Sequence, residues 1–211
     1  MALTVLAGSL TAALAISCWY AAARGLAWFS AVKVAALAAL LLTAWAWGAA
    51  DVAGGVALLV GLGFSLIGDA LLLSSSTPAF MGGLSAFLAA HLAYVVAFAS
   101  RGWSLLGVVV AAACVAPFAV RSFPRVRRAA VGAGGPMLGH AVTAYAAAVL
   151  AMALAAGGTG LALVLIGAVA FVVSDTVLGL DRFDAPRAQA HLVVMASYHV
   201  AQGAIVVGLL S

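Results

Sequence analysis

The sequence predicts an all-α fold, a polytopic bundle of eight transmembrane helices with the signs of a 4+4 parallel internal repeat. Three observations predict it. Hydrophobic residues make up 67% of the 211 residues and charged residues 7%, against soluble averages of about 45–50% and about 25%. Apolar stretches of the length that crosses about 30 Å of hydrocarbon as a helix recur along the whole chain. The basic residues cluster in alternate connections between those stretches. This excludes a soluble globular domain and leaves one membrane-embedded domain, 1–211, with short loops. No nucleic acid is expected as a partner. Cys18 and Cys114 both fall in apolar stretches, so neither a disulfide framework nor a cysteine-based zinc site is indicated.

Taken in order, the expected spans are 3–20, 27–47, 54–74, 80–99, 103–120, 135–156, 160–180 and 188–210. The first lacks the Lys or Arg that opens a cleaved signal peptide and runs on to Tyr20, so it is expected to be retained. Arg24-Gly25 ends it. Gly48 to Gly55 separates the second span from the third, and Ser74 to Pro78 is a turn signal. Arg101-Gly102 divides the fourth from the fifth. Residues 121–135 read as the longest loop, Gly157 to Gly160 as a tight connection, and Asp181 to Arg187, with Pro186, as the last loop.

Orientation follows from the basic residues. Arg24, then Arg121, Arg125, Arg127 and Arg128, then Arg182 and Arg187 fall after spans 1, 5 and 7, while the opposite side holds Arg101. Both termini are therefore expected outside, and the connections after spans 1, 3, 5 and 7 in the cytoplasm. The Arg121–Arg128 cluster suits anionic headgroups as well.

Within the spans, Asp69 in Gly61-Leu62-Gly63-Phe64-Ser65-Leu66-Ile67-Gly68-Asp69 and Asp175 in Phe171-Val172-Val173-Ser174-Asp175 stand 106 positions apart (175 − 69) in matching surroundings. A carboxylate at a helix centre costs about 2.5–3.5 kcal/mol on insertion scales, so each marks a functional site. His91 lies 22 residues past Asp69 and His199 24 past Asp175, which suggests two four-helix halves running in the same direction. Both Asp are then expected at similar depth, about five residues before the cytoplasmic ends of their helices, by the rise per residue.

Lys33 either snorkels to the interface or turns inward to pair with an Asp. With His140, it is expected to join the two aspartates in one polar cavity open to the cytoplasm. His91 and Tyr94 share a helix face, as do Tyr198, His199 and Gln202. Tyr145 is the polar point of span 6. Ser65, one turn before Asp69, can orient its carboxyl, whereas Ser174 points elsewhere. Asp69, His91, Asp175 and His199 also raise a metal site, but no tight ligand spacing supports one, and neither metal nor cofactor is expected.

At these segments the chain resembles the YhhN/TMEM86 family, whose characterised members are lysoplasmalogenases. The matching pieces are Gly63 to Asp69; Phe87 with His91, Tyr94 and Phe98; Tyr145 with Met152; Gly167 with Phe171, Ser174, Asp175, Leu178, Arg182 and Phe183; and Tyr198 with Ala201 and Gln202. The chain departs from the family where Lys33 is followed by Val34 rather than Pro, and at His140 and His199.

The resemblance implies hydrolysis of the vinyl ether bond of a lysophospholipid, with a fatty aldehyde and a glycerophospho-headgroup as products. It also implies residence in a bacterial plasma membrane. Vinyl ether cleavage protonates the β-carbon, and water then captures the oxocarbenium ion. Two carboxyls, one protonated and one ionised, suit these steps, and Asp69 and Asp175 are assigned to them. Lys33 or Arg182 is expected to hold the phosphate. Ser65, His91, Tyr94, Tyr145, Ser174, Tyr198 and Gln202 are expected to line the substrate site. The alternative is a proton-coupled small-molecule or lipid transporter, which uses the same residue types in the membrane.

Overall fold

The computed structural model of the protein describes residues 2–74 and 76–211. Ser75, in the expected turn at 74–78, and Met1, in the signal-peptide argument, lie outside the described residues. Among the described residues, eight α-helices follow one another: α1 (Ala2–Arg24), α2 (Phe29–Ala46), α3 (Gly55–Leu71), α4 (Thr77–Ala99), α5 (Leu105–Pro117), α6 (Phe123–Gly158), α7 (Ala162–Phe183) and α8 (Ala190–Leu210). A 3₁₀ turn at Ala49–Asp51 precedes α3, and a π turn at Phe118–Ser122 joins α5 to α6. No strand occurs among the described residues.

By length and hydropathy, six helical runs suffice to cross a membrane, and Gly55–Leu71 is a shorter apolar seventh. The count is not eight because residues Leu105–Gly158 form one continuous 54-residue run. The expected loop at 121–135 is largely helix. Its Arg and Ala residues favour helix, and Pro124 sits in the first turn of α6, where its missing N–H costs nothing. The break comes later, at Gly134 (φ −146°) and Gly135 (φ 76°, ψ −174°), just before Pro136. That backbone is open to glycine and closed to most other residues. The run doubles back there, since the Ser104 N–H donates to the Gly158 carbonyl at 2.7 Å, tying the start of α5 to the end of α6.

Capping residues set other boundaries. The Ser76 hydroxyl accepts from the Ala79 N–H at the start of α4, and the Ser104 hydroxyl accepts from the Gly107 N–H at the start of α5. The bundle is apolar outside as well as inside. Leu42, Val96, Leu106, Val120 and Met137 are exposed, while Lys33, Asp69, His91 and Gln202 are buried. That distribution suits hydrocarbon as the solvent. The main core joins Leu37, Leu58, Leu62, Phe98, Met152, Phe171 and Ile205, from six helices. Arg101 donates to the Leu209 carbonyl and so caps α8 at the end opposite the basic cluster.

Candidate active site

Two buried polar clusters lie inside the bundle, each built on one aspartate. Asp69 sits two residues before the end of α3. Its Oδ1 lies 3.0 Å from Lys33 Nζ on α2, and its Oδ2 accepts from the Tyr198 hydroxyl of α8 at 2.9 Å. The two ionic side chains are 7% and 2% exposed, so Lys33 has taken the inward option. A buried charge of this kind persists because it is paired and hydrogen-bonded. Beside it, the Trp19 indole N–H donates to His199 Nδ1 at 2.9 Å.

Asp175 sits eight residues before the end of α7. Its Oδ2 accepts from the Tyr145 hydroxyl of α6 at 3.0 Å and lies 3.5 Å from His91 Nε2 of α4. The opposite ring nitrogen, His91 Nδ1, lies 2.6 Å from the Phe87 carbonyl. The imidazole is enclosed by Tyr145 (ring centroids 5.4 Å apart) and Phe171 (4.9 Å). A wall of aromatic rings runs from one cluster to the other: Tyr198 packs edge-on against Phe87 and Phe171, and Phe171 in turn against His91. Behind it, the Tyr94 hydroxyl donates to Gln202 Oε1 at 2.6 Å, and Ser65 Oγ lies 3.5 Å from the same hydroxyl.

Two cavities adjoin these clusters. One, of ≈ 110 Å³, runs between α4, the π turn, α6 and α7. Its walls are mostly apolar, with Asp175, Tyr145 and Arg182 among them. The other, of ≈ 350 Å³, is more polar and is lined by Lys33, Ser74, Asp181, Arg182 and His191. Leu72, Phe80, Leu178 and Arg182 belong to both, so the cavities meet there. The Arg182 guanidinium lies 4.7 Å over the Phe80 ring at that junction.

The sequence residues therefore divide differently from expectation. Asp175, Tyr145, Arg182 and Lys33 reach a cavity, and Asp69, Ser65, His91, Tyr94, Ser174, Tyr198 and Gln202 line neither of the two. Asp175 lines one of these cavities and Asp69 neither, so neither cavity is the shared one expected; contacts through Tyr198, Phe171 and His91 link the two aspartates. The two do not sit at equal distances from their helix ends. Ser65 bonds to Tyr94 rather than to Asp69, and Ser174 donates to the Val194 carbonyl at 3.1 Å. His140 is exposed and joins neither cluster, because it lies on the face of α6 opposite the buried Val142, Val149 and Ala153. Phe80 and Trp19 are not singled out in the sequence, and Phe171 enters there only as a point of family resemblance. As aromatics in apolar helices they carry no signal until their neighbours are known.

Outside the spans, Asp184 at the end of α7 accepts from Arg125 at 2.7 Å and from Arg187 at 3.2 Å. The Arg125 hydrogen bond holds its carboxyl below the usual carboxylate range. This contact brings the basic start of α6 to the connection between α7 and α8.

Fold and site together define a multi-pass integral membrane protein with carboxyls buried among its helices. The chain belongs to the YhhN family, whose profile matches residues 28–209. It is 34% identical over 187 residues to human (Homo sapiens) lysoplasmalogenase TMEM86B, covering 84% of this chain and 74% of that protein. It is 37% identical over 145 residues to the Sus scrofa lysoplasmalogenase TMEM86B (65% of this chain, 56% of that protein). It is 33% identical over 153 residues to the Bos taurus lysoplasmalogenase TMEM86A (68% and 60%). The chain thus spans less than two thirds of the pig and cattle relatives. No solved structure matches it.

Proposed function

We propose that the protein is a lysoplasmalogenase-type hydrolase that cleaves the vinyl ether bond of a single-chain, phosphate-bearing lipid. The observation that carries this reading is the junction of the cavities. An apolar cavity with a carboxyl in its wall opens, past Arg182 and Phe80, on a more polar cleft whose lining includes Arg182, Lys33 and Asp181. An alkyl chain fits the first, a glycerophospho-headgroup the second, and the ether bond falls between. The relatives' names support the same substrate class.

In this reading Asp175 is the acid. It transfers its proton to the β-carbon of the vinyl ether, and the π electrons form the new C–H bond and leave an oxocarbenium ion. Water adds to the adjacent carbon and returns a proton to Asp175. The hemiacetal then collapses to an aldehyde and the glycerol hydroxyl with no net proton change. Asp69, paired with Lys33, acts through Tyr198, which packs against Phe171 beside the His91–Asp175 cluster. Arg182 receives the phosphate. It is the cation common to both cavities, whereas Lys33 is committed to Asp69. Seven residues separate Arg182 from Asp175, two helical turns or about 10 Å along one face of α7, which suits the reach of a glycerophosphate arm.

The 54-residue run folded back on itself supports eight crossings in total. The partner pattern supports the parallel repeat. Asp69 of α3 binds Lys33 of α2 and Tyr198 of α8; Asp175 of α7 meets Tyr145 of α6 and His91 of α4. Exchanging α2 with α6, α3 with α7 and α4 with α8 maps one set on the other. Gly61 and Gly167 correspond as well (167 − 61 = 106). A Cβ on either would collide, with Tyr94 of α4 at 2.3 Å or with the Ala201 carbonyl of α8 at 2.8 Å. The gathering of Arg125, Asp184 and Arg187 at one end supports a cytoplasmic basic face, with both termini outside; a bacterial plasma membrane remains part of the reading from the sequence.

The rival is a proton-coupled carrier, which uses buried ionisable residues such as Asp69, Lys33 and Asp175. One assay separates the two. Purified protein is given 1-alkenyl lysophospholipids, their 1-alkyl and 1-acyl counterparts, and the phosphate-free 1-alkenylglycerol, and aldehyde release is followed. Aldehyde from the alkenyl lysophospholipids is expected. No aldehyde from any of them, with solute uptake into liposomes, would establish the carrier. Arg182→Ala should raise KM for the phosphate-bearing substrates by about tenfold to a hundredfold, the worth of a charge-assisted hydrogen bond. It should leave 1-alkenylglycerol almost unaffected.

A further inference from the structure

His91 has no task in the scheme above, yet its geometry constrains where the acid's proton resides. Its ring is fully buried. Nδ1 lies 2.6 Å from the Phe87 carbonyl oxygen, which can only accept, so Nδ1 carries a hydrogen. Nε2 is buried, and no hydrogen-bond donor reaches it among the described residues. It faces Asp175 Oδ2 at 3.5 Å, the oxygen to which Tyr145 donates. In the neutral ring Nε2 is a bare lone pair. A bare lone pair aimed at a carboxylate oxygen is repulsive, and an unsatisfied buried nitrogen costs about 1–3 kcal/mol. One proton between the two atoms removes both penalties.

We propose that His91 and Asp175 share that proton, carried by the Asp175 carboxyl and donated to His91 Nε2. This makes His91 the positioning residue that keeps the acid loaded. The proposal rests on the hydrolase reading for its purpose, but its geometry stands apart from it. The surroundings favour the neutral form of the pair over an imidazolium–carboxylate ion pair. Tyr145, Tyr94 and Phe171 enclose the imidazole, the cavity wall beyond Asp175 is mostly apolar, and Lys33 is occupied by Asp69. During turnover, Asp175 gives its hydrogen to the substrate carbon and becomes a carboxylate facing the bare Nε2. That unfavourable contact favours recovery of a proton from the attacking water. The O–H bond broken in the first step is restored in the second, and His91 itself is neither consumed nor alkylated.

Spectroscopy on the wild-type protein tests this without any substrate. Nitrogen-15 spectra, with His91 assigned by its loss in His91→Gln, should show a protonated Nδ1 and an unprotonated Nε2. Infrared spectra should show the C=O stretch of a protonated carboxyl that disappears in Asp175→Asn. Kinetically, His91→Phe should lower kcat by about tenfold to a hundredfold, the worth of one buried hydrogen bond. His91→Gln, whose side-chain oxygen can accept from Asp175, should recover most of that loss. A protonated Nε2, or an Asp175 band in the carboxylate region, would overturn the proposal. The expected spectra from a protein that releases no aldehyde would uphold the shared proton and remove the hydrolase reading instead.

Discussion

Asp175→Asn is expected to lower kcat for aldehyde release by about 10²- to 10⁴-fold, the usual contribution of a positioned acid–base group, while the protein stays folded. Asparagine keeps the shape of the side chain. Its amide can still meet the Tyr145 hydroxyl and His91 Nε2, so the cluster loses its transferable proton and little else. Substrate binding should change little, because the phosphate and the chain are held elsewhere. The effect therefore falls on kcat rather than KM, the mark of a group that acts in the transition state. Equal thermal unfolding of the two proteins in detergent checks that the loss is chemical.

Lys33→Met should have the largest effect on stability. It leaves the Asp69 carboxylate buried with the Tyr198 hydroxyl as its remaining recorded hydrogen-bond partner. Removing one member of a buried ion pair costs about 3–5 kcal/mol, whereas replacing both by apolar residues is often close to neutral. The double variant Lys33→Met/Asp69→Leu should accordingly regain most of the lost stability. Its turnover per folded molecule should fall less than that of Asp175→Asn, because Asp69 lines neither cavity. A double variant as inactive as Asp175→Asn would return Asp69 to a direct part in the chemistry.

Much of the helical framework was legible because hydrophobic composition and span length suffice to specify it. Residues 121–135 were misread because their arginines resemble a loop in a hydropathy profile, while a helix lying outside the hydrocarbon tolerates charge. The real break, at Gly134 and Gly135, depends on backbone torsion rather than on polarity. Asp69 and Asp175 were legible as costly residues in apolar helices, and so was one of two fates for Lys33. Their partners were less so. Each Asp meets a residue of the preceding helix and one on a helix distant in the chain, Tyr198 for Asp69 and His91 for Asp175. A linear reading ranks near neighbours first, which is why Ser65 was offered to Asp69 and both carboxyls were given one cavity. The difference between a carboxyl that lines neither cavity and one on a cavity surface depends on packing, such as that of Phe171 against His91 and Tyr198.

The most direct test of the central claim follows the transferred proton. The purified protein is supplied with a 1-alkenyl lysophospholipid in D₂O, and the aldehyde is trapped as it forms. The account predicts one deuterium on the carbon next to the aldehyde carbonyl in each product molecule, and loss of that product in Asp175→Asn. Aldehyde without deuterium at that carbon, or undiminished formation in Asp175→Asn, would contradict it.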